Sequence, residues 1–165
     1  MLVAARYRLG TLISQEVPDF AKRCMGVGPY SSDLDEIAAS SYPVMSEVGP
    51  ALERILSDQG VALPSREAAI RVLLREDVGA IAEGRIAPRE GMARVERLYH
   101  QADLGTQTKE YVGDSHDLHR LLGNYYAYDD VSRASDAVVL DRAIVQEAQA
   151  WMETHGGGGE LDDER

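Results

Sequence analysis

The stretch Ser65–Glu83, SREAAIRVLLREDVGAIAE, decides the fold class. Ile70, Leu74, Val78 and Ile81 recur in it at steps of four, four and three, the spacing that lines side chains along one face of a helix rather than alternating them across a strand. Ser65 stands where an N-cap hydroxyl belongs, and Glu67 puts a carboxylate in the first turn, where it favours the helix dipole. Gly84 follows the last periodic residue, the usual place for a glycine that ends a helix in the left-handed conformation. The pattern predicts a long helix over 65–83.

The flanking segments read the same way. Pro88 opens a second helix with Met92, Val95, Tyr99 and Ala102 on its inner face, and the short link from Gly84 to Ala87 makes the two helices antiparallel neighbours. Leu118, Leu121, Leu122 and Tyr125 form the inner face of another helix, capped by Asp114 or Ser115, with Asp117 three residues after Asp114. Ala137, Leu140, Ile144, Ala148 and Trp151 mark a last helix from about Ala134 to Thr154, anchored by the only tryptophan. Leu104 to Gly113 is the weakest stretch, with a short extended piece at 109–112.

Toward the N-terminus, Leu2, Ala5, Leu9 and Leu12 or Ile13 make the stripe of an amphipathic helix over Met1–Val17, and Pro18 kinks it or opens a second one ending at Gly26. Ser31 or Ser32 caps a short helix with Asp33, Asp35 and Glu36 in its first turn. Either Pro43 or Pro50 starts a helix that carries Leu52, Ile55 and Leu56 and stops at Gly60. The expected fold is therefore all-α: a compact, partly orthogonal bundle of about seven or eight helices, about two thirds helical, forming one domain over 1–155 with a flexible, Gly-rich, acidic tail at 156–165. Its expected core contains Leu73, Leu74, Val78, Ile81, Val95, Leu98, Leu122, Ile144 and Trp151.

Seventeen basic against twenty-eight acidic residues give a net charge of -11, placed unevenly. Residues 1–65 carry -3, 66–102 carry +1, 103–141 carry -5 and 142–165 carry -4. A field of that sign repels nucleic-acid phosphates and anionic lipid and attracts basic proteins. The arginines from Arg66 to Arg97 do not make a basic stripe, because Glu67, Glu76, Asp77, Glu83, Glu90 and Glu96 nearly cancel them. No apolar run approaches the ~18 residues of a membrane span, and the chain reads as cytoplasmic. Cys24, the only cysteine, excludes an intramolecular disulfide and any multi-cysteine metal site; its spacing with Ile13, Val17 and Phe20 makes it a small buried hydrophobe.

Catalytic motifs are missing from the sequence. There is no Gly-x-Ser-x-Gly and no His-Glu-x-x-His, and the turn from Gly26 to Tyr30 lacks the lysine and hydroxyl of a phosphate loop. His116, Asp117 and His119, with His100 brought in by folding, are the one set that a metal-dependent hydrolase would use. On a helical wheel, however, His116 lies nearly opposite the Leu118 face and His119 at its edge, so both are expected to be exposed and metal-free. No catalytic residue, metal ligand or cofactor is assigned.

More informative is Gly123-Asn-Tyr125-Tyr126-Ala-Tyr128-Asp129-Asp130. Tyr125 belongs to the inner face, while Tyr126 and Tyr128 are expected to leave it just before two aspartates. Amphipathic tyrosines edged by carboxylates suit a surface that meets a basic protein. Tyr126, Tyr128, Asp129 and Asp130 are therefore the expected partner-binding residues of a non-enzymatic acidic module, such as an inhibitor or immunity-type protein. The alternatives are the hydrolase above, or a homodimeric structural or regulatory subunit in which Tyr126 and Tyr128 pack against their own copies across a twofold axis.

Overall fold

A computed structural model of the chain describes residues 1–27, 30–103 and 116–157. The described residues are 75% helical and include no strand. Eight α-helices lie among them: α1 (Leu2–Arg8), α2 (Val17–Met25), α3 (Ser32–Ala39), α4 (Met45–Asp58), α5 (Arg66–Ala82), α6 (Pro88–Asp103), α7 (His119–Tyr126) and α8 (Ala134–His155). Short 3-10 turns cover Ser14–Glu16 and Ala127–Asp130. The chain is all-α. The expected cap at Asp114 or Ser115, the extended piece at 109–112 and most of the tail lie outside the described residues. Contacts gather into two compact units, Met1–Val72 and Leu73–Arg165, with the boundary inside α5.

In the first unit, α1 ends at Arg8 instead of running on to Val17. Gly10 adopts φ 67°, its N–H bonds to the Tyr7 carbonyl at 3.0 Å, and the Thr11 N–H bonds to the Arg6 carbonyl at 2.9 Å. This paired closure satisfies carbonyls left open by the last turn, and the left-handed residue redirects the chain. The apolar stripe is broken accordingly: Leu12 turns into the core at 7% exposure, while Ile13 stays outside at 58%. Arg6 braces the redirected segment by donating to both oxygens of Glu16, at 2.9 and 2.7 Å, and to the Thr11 carbonyl at 3.2 Å. Its guanidinium holds the Glu16 carboxyl below the usual carboxylate range.

Pro18 sits in the first turn of α2, where a missing N–H costs nothing. Of the two prolines near α4, the first marks its start, since Pro43 precedes Met45 and Pro50 lies inside the helix. α2 packs on α3 and α3 on α4 around Leu34, Ile37, Leu52 and Ile55. Cys24 is buried there as expected, and burial pushes its thiol up. Gly49 lets the Tyr7 ring lie against α4, since a Cβ there would fall 2.9 Å from the Tyr7 hydroxyl, which donates to Glu53 at 2.8 Å.

In α5 the Ser65 hydroxyl accepts the Ala68 N–H at 3.1 Å, and Gly84, at φ 70°, closes the far end as the sequence predicts. All nine residues of the expected core are buried. They belong to the second unit. α5 and α6 approach closely at Gly91, where a Cβ would fall 2.3 Å from Ile81 Cγ1 and 3.2 Å from Ile86 Cγ2. The inner face of α6 is set by Met92, Val95 and Leu98, with Tyr99 only half-buried. On α8, Ile144, Ala148 and Trp151 are buried, whereas Ala137 and Leu140 are half-exposed. Trp151 anchors this end through a polar contact as well as its area: its indole N–H donates to the His116 carbonyl at 2.8 Å.

Candidate protein-binding surface

α7 packs against α6 and α8, and the 3-10 turn of Ala127–Asp130 carries the chain from α7 toward α8. The three tyrosines of this segment take three different environments. Tyr125 is half-buried at the centre, its ring centroid 5.8 Å from that of Tyr126 and 6.2 Å, edge-on, from that of Tyr128. Tyr126 is exposed at 44% and Tyr128 buried at 9%.

Tyr128 is thus not part of an outward patch, contrary to the sequence expectation. A 3-10 turn completes a revolution in three residues, so the backbone brings Tyr128 back in line with Tyr125 instead of past it. Its hydroxyl donates to Asp141 on α8, and the Arg89 guanidinium lies 5.3 Å above its ring centroid. Burial, then the bond to Asp141 and its charge, push the Tyr128 phenol well above the usual tyrosine range, while Arg89 pulls the other way.

The folded protein holds the Tyr128 proton more tightly than the unfolded chain, whose tyrosines ionise near pH ~10. The stabilising contribution is complete below that pH and is lost as pH rises through the higher folded value. Denaturant melts should therefore show stability falling above pH ~10, and Tyr128→Phe should flatten the fall. Equal slopes for the two proteins would refute this assignment.

Burial, followed by the Glu96 carboxylate of α6, pushes the Tyr126 phenol up. Glu96 Oε1 lies 4.0 Å from His100 Nε2, and His100 meets Tyr99 edge-on at 5.4 Å. Asp129 and Asp130 are exposed on the next turn. Tyr126 therefore opens outward, with two exposed carboxylates a turn further along the chain. In the sequence Glu96 stands only as a charge that balances the arginines of α6, and its effect on a tyrosine of another helix has no local signature.

The histidines are spread out. His100 is exposed on α6, His119 is exposed at the start of α7, and His116 and Asp117 lie in the turn before α7, where a helical wheel does not apply to them. Asp117 takes φ 52°, and its Oδ2 lies 3.2 Å from Nε2 of His155, which stacks on Trp151 at 4.5 Å. Among the described residues, no group of three or more His, Cys, Asp or Glu side chains is placed to hold a metal ion. The arginines pair along the surface: Arg71 with Glu67, Arg85 with Glu76 and Glu83, and Arg94 with Glu90. No described helix is long and apolar enough to cross a membrane. No protein-family model, curated protein or solved structure matches the chain.

Proposed function

We propose that this chain is a non-enzymatic protein-binding module whose acidic, tyrosine-bearing surface on α6, α7 and the following turn meets a basic protein partner. The observation that carries the reading is the exposed Tyr126 ring, followed by the exposed carboxylates of Asp129 and Asp130. An aromatic ring with an apolar body supplies contact area, and the surrounding negative charge steers a positively charged partner toward it. An inhibitor or immunity-type protein acting on a basic enzyme in the cytoplasm has this physics. The reading needs no cofactor, nucleic acid or membrane. A twofold homodimer built on both tyrosines is disfavoured, because Tyr128 is occupied inside its own subunit.

The test is kinetic, on the partner captured with the immobilised chain from its own cells. Association should be faster at low salt, and Asp129→Asn with Asp130→Asn should slow it and flatten its salt dependence, since peripheral charges act mainly on encounter. Tyr126→Ala should raise the off-rate about tenfold or more if the ring is a hot spot. A partner whose binding ignores both ionic strength and these three positions would overturn the proposal.

A further inference from the structure

The five methionines of the chain occupy different environments, and one of them joins two helices. Met152, in the last turns of α8, is half-buried, and its thioether covers the buried Gly79 of α5. A β-carbon at Gly79 would fall 3.5 Å from Met152 Cε and 3.7 Å from Sδ, so the sulfur lies close to the α5 backbone. Three residues earlier on α8, the Gln149 amide donates to the Ala82 carbonyl at 3.3 Å. The residue just before Met152 is Trp151, buried and bonded through its indole N–H to the His116 carbonyl. The thioether is therefore part of the contact between α5 and the stretch of α8 that carries the only tryptophan. Of the other methionines, Met1 and Met25 are exposed, Met92 is fully buried, and Met45 packs half-buried on the core of the first unit.

We infer that Met152 is an oxidation switch: a hydroperoxide converts its thioether to the sulfoxide, and the oxidised side chain releases the end of α8 from α5. A sulfur lone pair attacks the outer peroxide oxygen, the O–O bond breaks, and the displaced oxygen leaves as alcohol, or as water when the oxidant is hydrogen peroxide, taking up the proton. Sulfur is oxidised by two electrons and the peroxide is reduced by two. The product replaces an apolar, adaptable side chain with a polar one that accepts hydrogen bonds. The backbone N–H groups around Gly79 are spent within α5, so the contact offers the new oxygen no donor, and a polar group left there without one is costly. Half-burial makes both parts of the device work, since the sulfur is within reach of a small oxidant yet still packed. Met92 has the packing without the access, and Met1 and Met25 have the access without the packing. A thiol-dependent methionine sulfoxide reductase returns the thioether, which makes the change reversible.

The experiment treats the full chain with hydrogen peroxide, locates the added oxygen by peptide mass spectrometry and follows a thermal melt by Trp151 emission. Oxidation at Met152 should lower the midpoint by about 5 °C and shift the emission to the red. Methionine sulfoxide reductase with dithiothreitol should restore both. Met152→Leu should still take up oxygen at Met1 and Met25 but keep its midpoint through the treatment, whereas Met45→Leu should show the same fall as the wild type. Met152→Gln, unbranched and polar like the sulfoxide, should melt lower by a similar amount with no peroxide added. A midpoint unmoved by oxidation of Met152 or by Met152→Gln would overturn the switch. So would a fall that survives in Met152→Leu, or a Met152 that peroxide leaves unoxidised in the folded protein.

Discussion

Replacing Leu74 with alanine is expected to destabilise the protein by about 2–5 kcal/mol, the range for removing a large aliphatic side chain from a packed interior. Leu74 is 1% exposed, and Val78 and Ile81, on the same stripe of α5, are fully buried. The loss has two parts: transfer of the removed methyl groups, and the cavity left where rigid neighbours cannot collapse. The second part should push the value toward the upper end, because a helix buried along so much of its length has little freedom to shift into the gap. A thermal melt should show a midpoint lower by on the order of 10 °C, given the usual conversion for a chain of this size. An unchanged midpoint would mean that this face of α5 is not the one against the core.

Adding a single methyl group at Gly91 is also expected to destabilise the protein, by a smaller amount. Its Cβ would lie 2.3 Å from Ile81 Cγ1 and 2.7 Å from Ile81 Cδ1, with Ile86 Cγ2 3.2 Å away. Ile81 is wholly buried, so it has no solvent-side rotamer into which to retreat. The alternative is to separate α5 from α6. Overpacking of this kind costs about 1–3 kcal/mol, against which alanine returns up to ~1 kcal/mol of helix propensity, so the net effect of Gly91→Ala is destabilising. A double-mutant cycle identifies the cause. Ile81→Ala alone should cost about 2–5 kcal/mol, and appreciably less in the Gly91→Ala background, where the new methyl group occupies part of the vacated space. Additive effects at the two positions would show that they do not meet.

Much of the helical layout was legible because its signals are local. Ser65 and Gly84 bound α5 through a hydroxyl and a left-handed backbone that act within one turn, and the 3.6-residue repeat of Leu74, Val78 and Ile81 specifies the buried face without knowledge of what covers it. Gly10 carried the same end signal as Gly84, but Leu12 and Ile13 prolong the apolar spacing beyond it, and periodicity alone extends the helix too far. On α6 the expected core residue Leu98 is buried, while Tyr99, expected on the inner face, is only half-covered, because an aromatic ring at the border of a stripe counts as apolar whether or not it is covered.

The all-α class, most helix ends and the core residues of the second unit are thus written in local sequence patterns. Which polar side chains meet depends on how the helices pack. Tyr128 is turned inward by a 3-10 turn and by Arg89 and Asp141, which come from two other helices. Asp117 finds His155 across a separation of more than thirty residues. The physical reason is one of range. Backbone hydrogen bonds and helix periodicity tie residues within about four positions of each other, so their outcome is written in the local sequence. A hydroxyl-to-carboxylate pair between helices depends on how those helices pack, and the packing is set by all the apolar faces together.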